Sequence, residues 1–364
     1  MNIIHLISNK VWGGGERYAL DLCRALEQRG HSTAVITRKG HPEVDAPFVR
    51  AGIAVGHLPL RGAIDILSPL ILSRILDRME TPVAIHVHNF KDAVVALRAR
   101  RLMRRRPSGV RIICTRHLVR PAKTGKLDSN TYRDLDAIIF VSDAARREFM
   151  TTAPAELRDN PKIHTLHNSI IIPQTSEPAN KHSDFRFIYT GRISPEKGLD
   201  TLIEAFAKVE ARRPGKARLT ICGTGDSRTV MPIVRTARGL GIDKSIDWLG
   251  HVDDVFPEIR KAAVGIMPSK VPESFGLAAL EFMSQGIPVI ASDNGALPEI
   301  VRAGTDGLLV PPASPEALAD AMTALIDNPD KAAEMGQNAK KHVENDFAYD
   351  AFVSKTAEIY LPAQ

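Results

Sequence analysis

The sequence predicts an α/β protein built of two Rossmann-like, doubly wound parallel-sheet domains in series, facing each other across an interdomain cleft. Three observations predict it. Short continuous apolar runs alternate with helical periodicity along the chain, as strands covered on both faces do. The alternation lapses once, at residues 170–184 (IIIPQTSEPANKHSD), which are rich in Pro, Ser, Thr and Asn and lack a sustained period. A length of 364 residues, 44% of them hydrophobic and 25% charged, fits two cores better than one.

The opening NIIHLIS reads as a strand, NKVWGGGE as a glycine loop, and Tyr18, Leu22, Ala25 and Leu26 as the apolar face of a helix that closes at Gly30. STAVIT, IAVGHL, VAIHVH, VRIICT and AIIFVS repeat the strand theme. After the connection, FRFIYTG, RLTICG, IDWLG, VGIMPS, PVIASD and GLLVPP read as strands, with helical patterns at 197–213, 229–240, 276–286 and 315–327. The expected domains are 1–170 and 185–346, joined by 171–184, with an amphipathic stretch in 347–364 free to pack back on the first. No apolar run approaches the ~20 residues needed to span a bilayer, and Met1 leads straight into a strand, so a cytoplasmic location is expected. Cys23, Cys114 and Cys222 have no paired spacing, which argues against disulfides and zinc and for buried small apolar residues.

Charge is unevenly spread. Residues 1–180 carry 27 Lys/Arg against 17 Asp/Glu, and the remainder 21 against 25. Most of the surplus lies in residues 93–127, with nine Arg, two Lys and no acid. In VVALRARRLMRRR a stripe of Val95, Ala99, Leu102 and Met103 suits burial while Arg98, Arg101 and Arg105 share another side. That pattern is either a solvated face or a contact for anionic lipid. Nucleic acid is disfavoured, because no aromatic platform interleaves the arginines.

In open sheets of this kind ligands sit beyond the carboxyl ends of the strands. Gly13, Gly14 and Gly15 follow the first strand and could bring backbone N–H groups to a phosphate, or simply turn the chain. The dinucleotide fingerprint fails here: its third glycine position holds Tyr18, and the second strand ends in Arg38 and Lys39 instead of an acid. GTG at 223–225 fails in the same way at Arg228, so a nicotinamide-dependent oxidoreductase is disfavoured. In YTGRISPEKG (189–198), Arg192 as a fixed guanidinium and Lys197 as a mobile ammonium suit a diphosphate. In PESFGLAALE (272–281), Glu273 precedes a helix whose first turn is expected to hold Phe275, Gly276 and Leu277, an anion site of free N–H groups. Glu281 follows inside that helix. Two carboxylates so spaced could hold a sugar and a ribose by their paired hydroxyls, with phosphate between them.

GGGER, YTGRISPEKGLDTLIEAF, the GTG turn, LGHVDDV, ESFGLAALEFMSQGIPVIASDNGALPEIV and DGLLVPP stand in the order that resembles retaining glycosyltransferases of family 4, which have the GT-B fold. The resemblance is dense over about residues 185–312 and thinner over 1–170. It implies a nucleoside diphosphate sugar donor, a saccharide or lipid-linked acceptor held by the first domain, and a role in cell-surface glycan synthesis at the inner face of a membrane. It also implies that Arg192 and Lys197 hold the diphosphate, Glu273 lies near the donor sugar and Glu281 on the ribose. Phe275, Gly276 and Leu277 would contact phosphate or sugar, while Gly13 and Gly14 approach from the first domain. His117 aligns with the family's active-site histidine, and Val252 and Gly223 lie where the base is held. Asn168-Ser169-Ile170 replaces the usual Asn-Gly-Val, which leaves Asn168 able to face the cleft.

No metal or other cofactor is expected, since cations and amides supply the charge. Asp134-Leu-Asp136 precedes a strand instead of following one and reads as a strand-start pair. His86 and His88 are expected on opposite sides of their strand, with His88 in the acceptor region; His5, His164 and His167 are expected to be structural. The rival within this scaffold is a sugar-nucleotide epimerase or hydrolase that uses the donor site without an acceptor.

Overall fold

The computed structural model describes residues 1–104, 109–158, 160–173 and 184–361. They form two compact units, one of Met1–His167 with Tyr349–Gln364 and one of Asn168–Ala348. Residues 174–183 of the expected connection lie outside the described residues.

The first unit runs β1 (Asn2–Ile7), α1 (Gly14–Gln28), β2 (Ser32–Arg38), α2 (Pro42–Arg50), β3 (Ala54–Leu58), α3 (Leu67–Leu76), β4 (Val83–Val87), α4 (Phe90–Leu102), β5 (Val110–Arg116), α5 (Lys126–Asp134), β6 (Ala137–Phe140), α6 (Asp143–Met150) and β7 (Ile163–Thr165). Its strands pair in parallel in the order β3-β2-β1-β4-β5-β6-β7. Strands β4 and β6 are buried along their whole length, which is why they read as unbroken apolar runs. The order reverses between β1 and β4, the kind of place where the loops after two neighbouring strands leave to opposite faces of a sheet.

In the second unit, β8 (Phe185–Thr190), α7 (Leu199–Arg212), β9 (Ala217–Cys222), α8 (Ser227–Gly239), β10 (Ile246–Gly250), α9 (Phe256–Ile259), β11 (Val264–Met267), α10 (Leu277–Ser284), β12 (Val289–Ser292), α11 (Leu297–Ile300), β13 (Gly307–Val310), α12 (Pro315–Asp327) and α13 (Pro329–Asp346) follow in order. The sheet order is β10-β9-β8-β11-β12-β13, all parallel, with its reversal between β8 and β11. The final helix, α14 (Tyr349–Tyr360), belongs to the first unit, where Phe352, Val353 and Tyr360 join a core with Ile3, Leu22, Leu26 and Ala84. At the two ends of the second unit, the Ser169 hydroxyl donates to the carbonyl of Phe347.

The structure corrects the reading of the Arg-rich helix. In α4 every residue from Asp92 to Leu97 is buried, and so is Ala99, but Leu102 is exposed and Met103 is half-buried beyond the helix end. The helix is covered on more than one side, so a single 3.6-residue stripe does not describe it. Arg100 and Arg101 bond to Asp136 and Asp134, which gives both acids of the Asp-Leu-Asp sequence a structural task. Arg98 is half-buried and engaged, and Arg105 lies outside the described residues. Helix α13 and strand β7 have no counterpart in the sequence reading. Half of the buried residues of α13 are small (Ala332, Gly336, Ala339), and a Cβ at Gly336 would come within 2.0 Å of the Gly286 carbonyl oxygen. Close approach by small residues carries little hydrophobic periodicity. All three cysteines are buried and free. Among the described residues no helix is long and apolar enough to cross a membrane.

Candidate functional site

In the second unit the loops after β8, β9 and β10 run side by side at the carboxyl edge. Gly191 N donates to Cys222 O (2.9 Å), Ile193 N to Thr224 O (2.8 Å) and Gly223 N to Gly250 O (2.7 Å). A Cβ at Gly223 would sit 1.8 Å from the Gly191 carbonyl oxygen, so only glycine lets these two backbones touch. This stitching gathers Arg192, Gly223 and Val252 on adjacent loops.

Which of the two cations is fixed and which is mobile is the reverse of the expectation. Arg192 is 71% exposed, and among the described residues its guanidinium pairs with the Glu196 carboxylate four positions on, at 3.0 Å. Lys197 is the fixed group. Its ammonium donates to Glu273 Oε1 at 2.6 Å, with side-chain exposures of 27% and 12%. The cause is the turn at Gly198 (φ 69°), which seats the chain against the loop after β11; a Cβ there would lie 1.9 Å from the Pro268 carbonyl oxygen. Ser269 also donates to the same Glu273 oxygen. The backbone of Glu273 is pinned in turn by Ala296 N, 2.9 Å from its carbonyl.

The helix start also differs from expectation. Leu277 is the first residue of α10, Gly276 is its N-cap with φ 115°, and Phe275, 2% exposed, precedes the helix as a core residue. The left-handed turn at Gly276 is what parts Glu273, in the loop, from Glu281, the fifth residue of the helix and half-buried. The free N–H groups of this end therefore start at Leu277.

In the first unit, Gly13 and Gly14 are exposed, and Gly13 caps α1 in an extended conformation. A Cβ on Gly15 would meet nothing within 4 Å, so the fold itself does not demand a glycine there. Asn168 is 5% exposed with no partner for Oδ1 among the described residues.

The histidines require the largest correction. Residues i and i+2 of a strand share a face, and His86 and His88 stack with ring centroids 4.5 Å apart. His5, expected to be merely structural, is the register partner of His86 across β1 and β4. His5 Nδ1 lies 3.0 Å from His88 Nε2, and His88 Nδ1 lies 3.2 Å from His117 Nε2. His86 bonds to the Tyr360 hydroxyl at 2.7 Å and to Thr115 at 2.6 Å. The Tyr18 ring stands edge-on to His86, His88 and His117. Burial lowers all four imidazoles, His5 to about 3 and His117 to about 4, so the cluster is neutral at pH 7.

Asp92 was also missed. It is fully buried beside this cluster's edge of the sheet, accepts from Ser8 N (3.1 Å) and Asn89 Nδ2 (2.6 Å), and burial raises its carboxyl to about 7. The local signal was Asn89, whose side chain caps α4 through Asp92 N at 2.9 Å.

Both units thus place their polar side chains at the strand-order reversal. Residues 12–172 match the family described as Glycosyltransferase Family 4 and residues 173–342 match Glycosyl transferases group 1. A D-inositol 3-phosphate glycosyltransferase of Corynebacterium efficiens is 36% identical over 180 residues, which cover 48% of this chain and 42% of that enzyme. The chain thus spans less than half the length of the curated relatives it matches first. Among solved structures, Anabaena HepE in complex with UDP superposes with a TM-score of 0.82 at 20% identity, covering 98% of this chain and 99% of HepE. The lipopolysaccharide outer core galactosyltransferase WaaB superposes at 0.74 and 17%, covering 99% of this chain and all of WaaB. At such identities the likeness is one of fold. With consecutive family matches running from residue 12 to residue 342, the chain belongs to the group 1 glycosyltransferases of family 4 and has the GT-B fold.

Proposed function

We propose that this protein transfers a sugar from a nucleoside diphosphate donor to an acceptor hydroxyl with retention at the anomeric carbon. The observation that carries the reading is the Lys197–Glu273 pair, held at 2.6 Å where β8 and β11 part, beside the N-terminus of α10. Lys197, with Arg192 swinging in from solvent and the α10 N–H groups from Leu277 onward, would neutralise the charge that grows on the departing diphosphate. Glu273, already gripped by Lys197 and Ser269, would orient donor hydroxyls, and Glu281 the ribose. The bond from the anomeric carbon to the phosphate oxygen breaks, and the acceptor oxygen bonds to the same face. The acceptor proton passes to the leaving phosphate, so no protein carboxylate needs to act as nucleophile. His117, neutral and half-buried, would meet the transferred sugar, with His88 behind it and Asn168 near the acceptor. Gly13, Gly14 and Gly15 would leave room for the donor, and Gly223 and Val252 would flank the base. The reading assigns no metal, because the cations and amides supply the positive charge.

Uridine is the favoured base, since HepE was solved with UDP. A saccharide of the cell surface, lipid-linked or part of a lipopolysaccharide, is the favoured acceptor, by likeness to WaaB. A panel of UDP-, GDP- and ADP-sugars should give one clear thermal shift, with the UDP series leading. Ligand at a hundred times Kd adds about 2.7 kcal/mol. Equal or absent shifts across the panel would remove the donor assignment. Free sugar or an isomerised nucleotide sugar as sole product, from labelled donor with acceptor present, would favour the hydrolase or epimerase reading.

The proposal extends to contact with anionic lipid at the inner face of a membrane, although Arg101 is engaged with Asp134 and Arg98 is half-buried. It rests on the charge surplus of residues 93–127. Flotation should recover more protein with anionic than with neutral vesicles; equal recovery ends that part.

A further inference from the structure

His5, His88 and His117 form a chain of three imidazoles joined nitrogen to nitrogen, at 3.0 Å and 3.2 Å. Each junction needs one N–H and one lone pair. With every ring neutral, only two arrangements satisfy both junctions. In one, all three rings carry the proton on Nδ1, so that His5 donates to His88 and His88 to His117. In the other, all three carry it on Nε2 and the bonds run the opposite way.

The ends of the chain decide between them. His5 is 0% exposed, and no group among the described residues reaches its Nε2. The second arrangement leaves a buried N–H there with nothing to donate to, the rarer of the two kinds of orphan. The first leaves only an unshared lone pair. His86 keeps the rings from turning: it stacks on His88 at 4.5 Å and is itself held by Tyr360 and Thr115.

We infer that His5 and His88 are positioning residues that hold His117 in its Nδ1–H form. His117 then offers a hydrogen-bond donor at Nδ1 and no base, and the ligand atom it selects is an acceptor oxygen of the bound sugar or its phosphate. This rests on the transferase reading for what His117 meets, but the tautomer is read without any substrate. A divalent ion on His5, His86 and His88, whose ligand atoms lie within 4.8 Å of one another, is the competing use of these rings. It would have to break the bonds of His86 and take the lone pairs the chain needs.

Long-range proton–nitrogen spectra of the full chain with labelled histidine, at pH 7.5, test the inference. The expected pattern is a protonated Nδ1 and an unprotonated Nε2 for His5, His88 and His117. His88→Phe should release His117 from that form, and His88→Asn, which keeps an N–H near the Nδ1 position, should restore it. With donor and acceptor in hand, His88→Phe should lower kcat by about 10-fold with KM little changed, the worth of one hydrogen bond. Nε2–H rings in the unmodified protein, or two averaging forms of His117, would overturn the inference even if no variant folds. Stoichiometric displacement of the three resonances by zinc ion alone would overturn it in favour of a metal site.

Discussion

Lys197→Ala is expected to lower kcat/KM by about 10²–10³-fold, the usual effect of removing one preorganised donor to a developing anion. The expectation follows from how the group is held. Its ammonium is fixed 2.6 Å from Glu273 before any ligand arrives, so no reorganisation is needed when charge grows on the diphosphate. Arg192, exposed and paired with Glu196, starts from a freer state, and Arg192→Ala should act mainly through KM. Lys197→Ala also strips the counter-charge from a carboxylate that is 12% exposed, which should cost stability on the order of 1–3 kcal/mol after allowing for the exposure of the lysine. Glu273→Gln separates the two effects, because it leaves the cation in place: donor binding by thermal shift should survive while turnover falls. Lys197→Arg should recover part of the loss, since it keeps the charge but not the compact geometry. Turnover of Lys197→Ala within about threefold of the unmodified protein would contradict the assignment.

Acid should unfold the first unit early and steeply. His5, His86, His88 and His117 all have folded-state pKa values below the ordinary 6.5 because burial disfavours their charged form. The unfolded chain therefore binds more protons from these groups once pH falls below 6.5. The stability they contribute is complete above that value and is lost as pH falls towards the folded values of about 3 for His5 and about 4 for His117. Asp92 works in the opposite sense. Its carboxyl is raised to about 7, so its contribution is complete below the unfolded value of 3.8 and fades as pH rises to 7. Near pH 5 the net approaches four protons against one. At about 1.4 kcal/mol per unit for each group, stability should fall by about 4 kcal/mol per pH unit, a large share of the 5–15 kcal/mol typical of a domain. Denaturant midpoints measured across this range check the slope, and Asp92→Asn should steepen it by one proton. A flat profile from pH 6.5 to 5 would mean that the imidazoles are not neutral and buried as placed.

Much of the site was legible because its signals are local. The turn at Gly223 can be read from the short word GTG, since a tightly approached position favours glycine wherever the chain goes next; Gly276, expected inside the first turn of its helix, is instead its left-handed N-cap. Expectation and structure part where contacts are distant. Which of Arg192 and Lys197 is fixed depends on Glu273, 76 positions from Lys197. Spacing along one loop cannot report it. The placing of His86 and His88 on opposite sides was a misreading of the strand period, which is itself local. Their union with His5 and Tyr360 was not local at all.

The order of the strands and helices, apart from β7 and α13, and the loops that bear Arg192, Lys197 and Glu273 were legible in the sequence alone, because periodicity and backbone sterics act over a few residues. The tertiary structure alone decided that β1 lies against β4 in a register pairing His5 with His86, and that α14 returns to the first unit to bring Tyr360 within 2.7 Å of a residue 274 positions earlier. Such pairings come from burial summed over whole faces. No short stretch carries that sum.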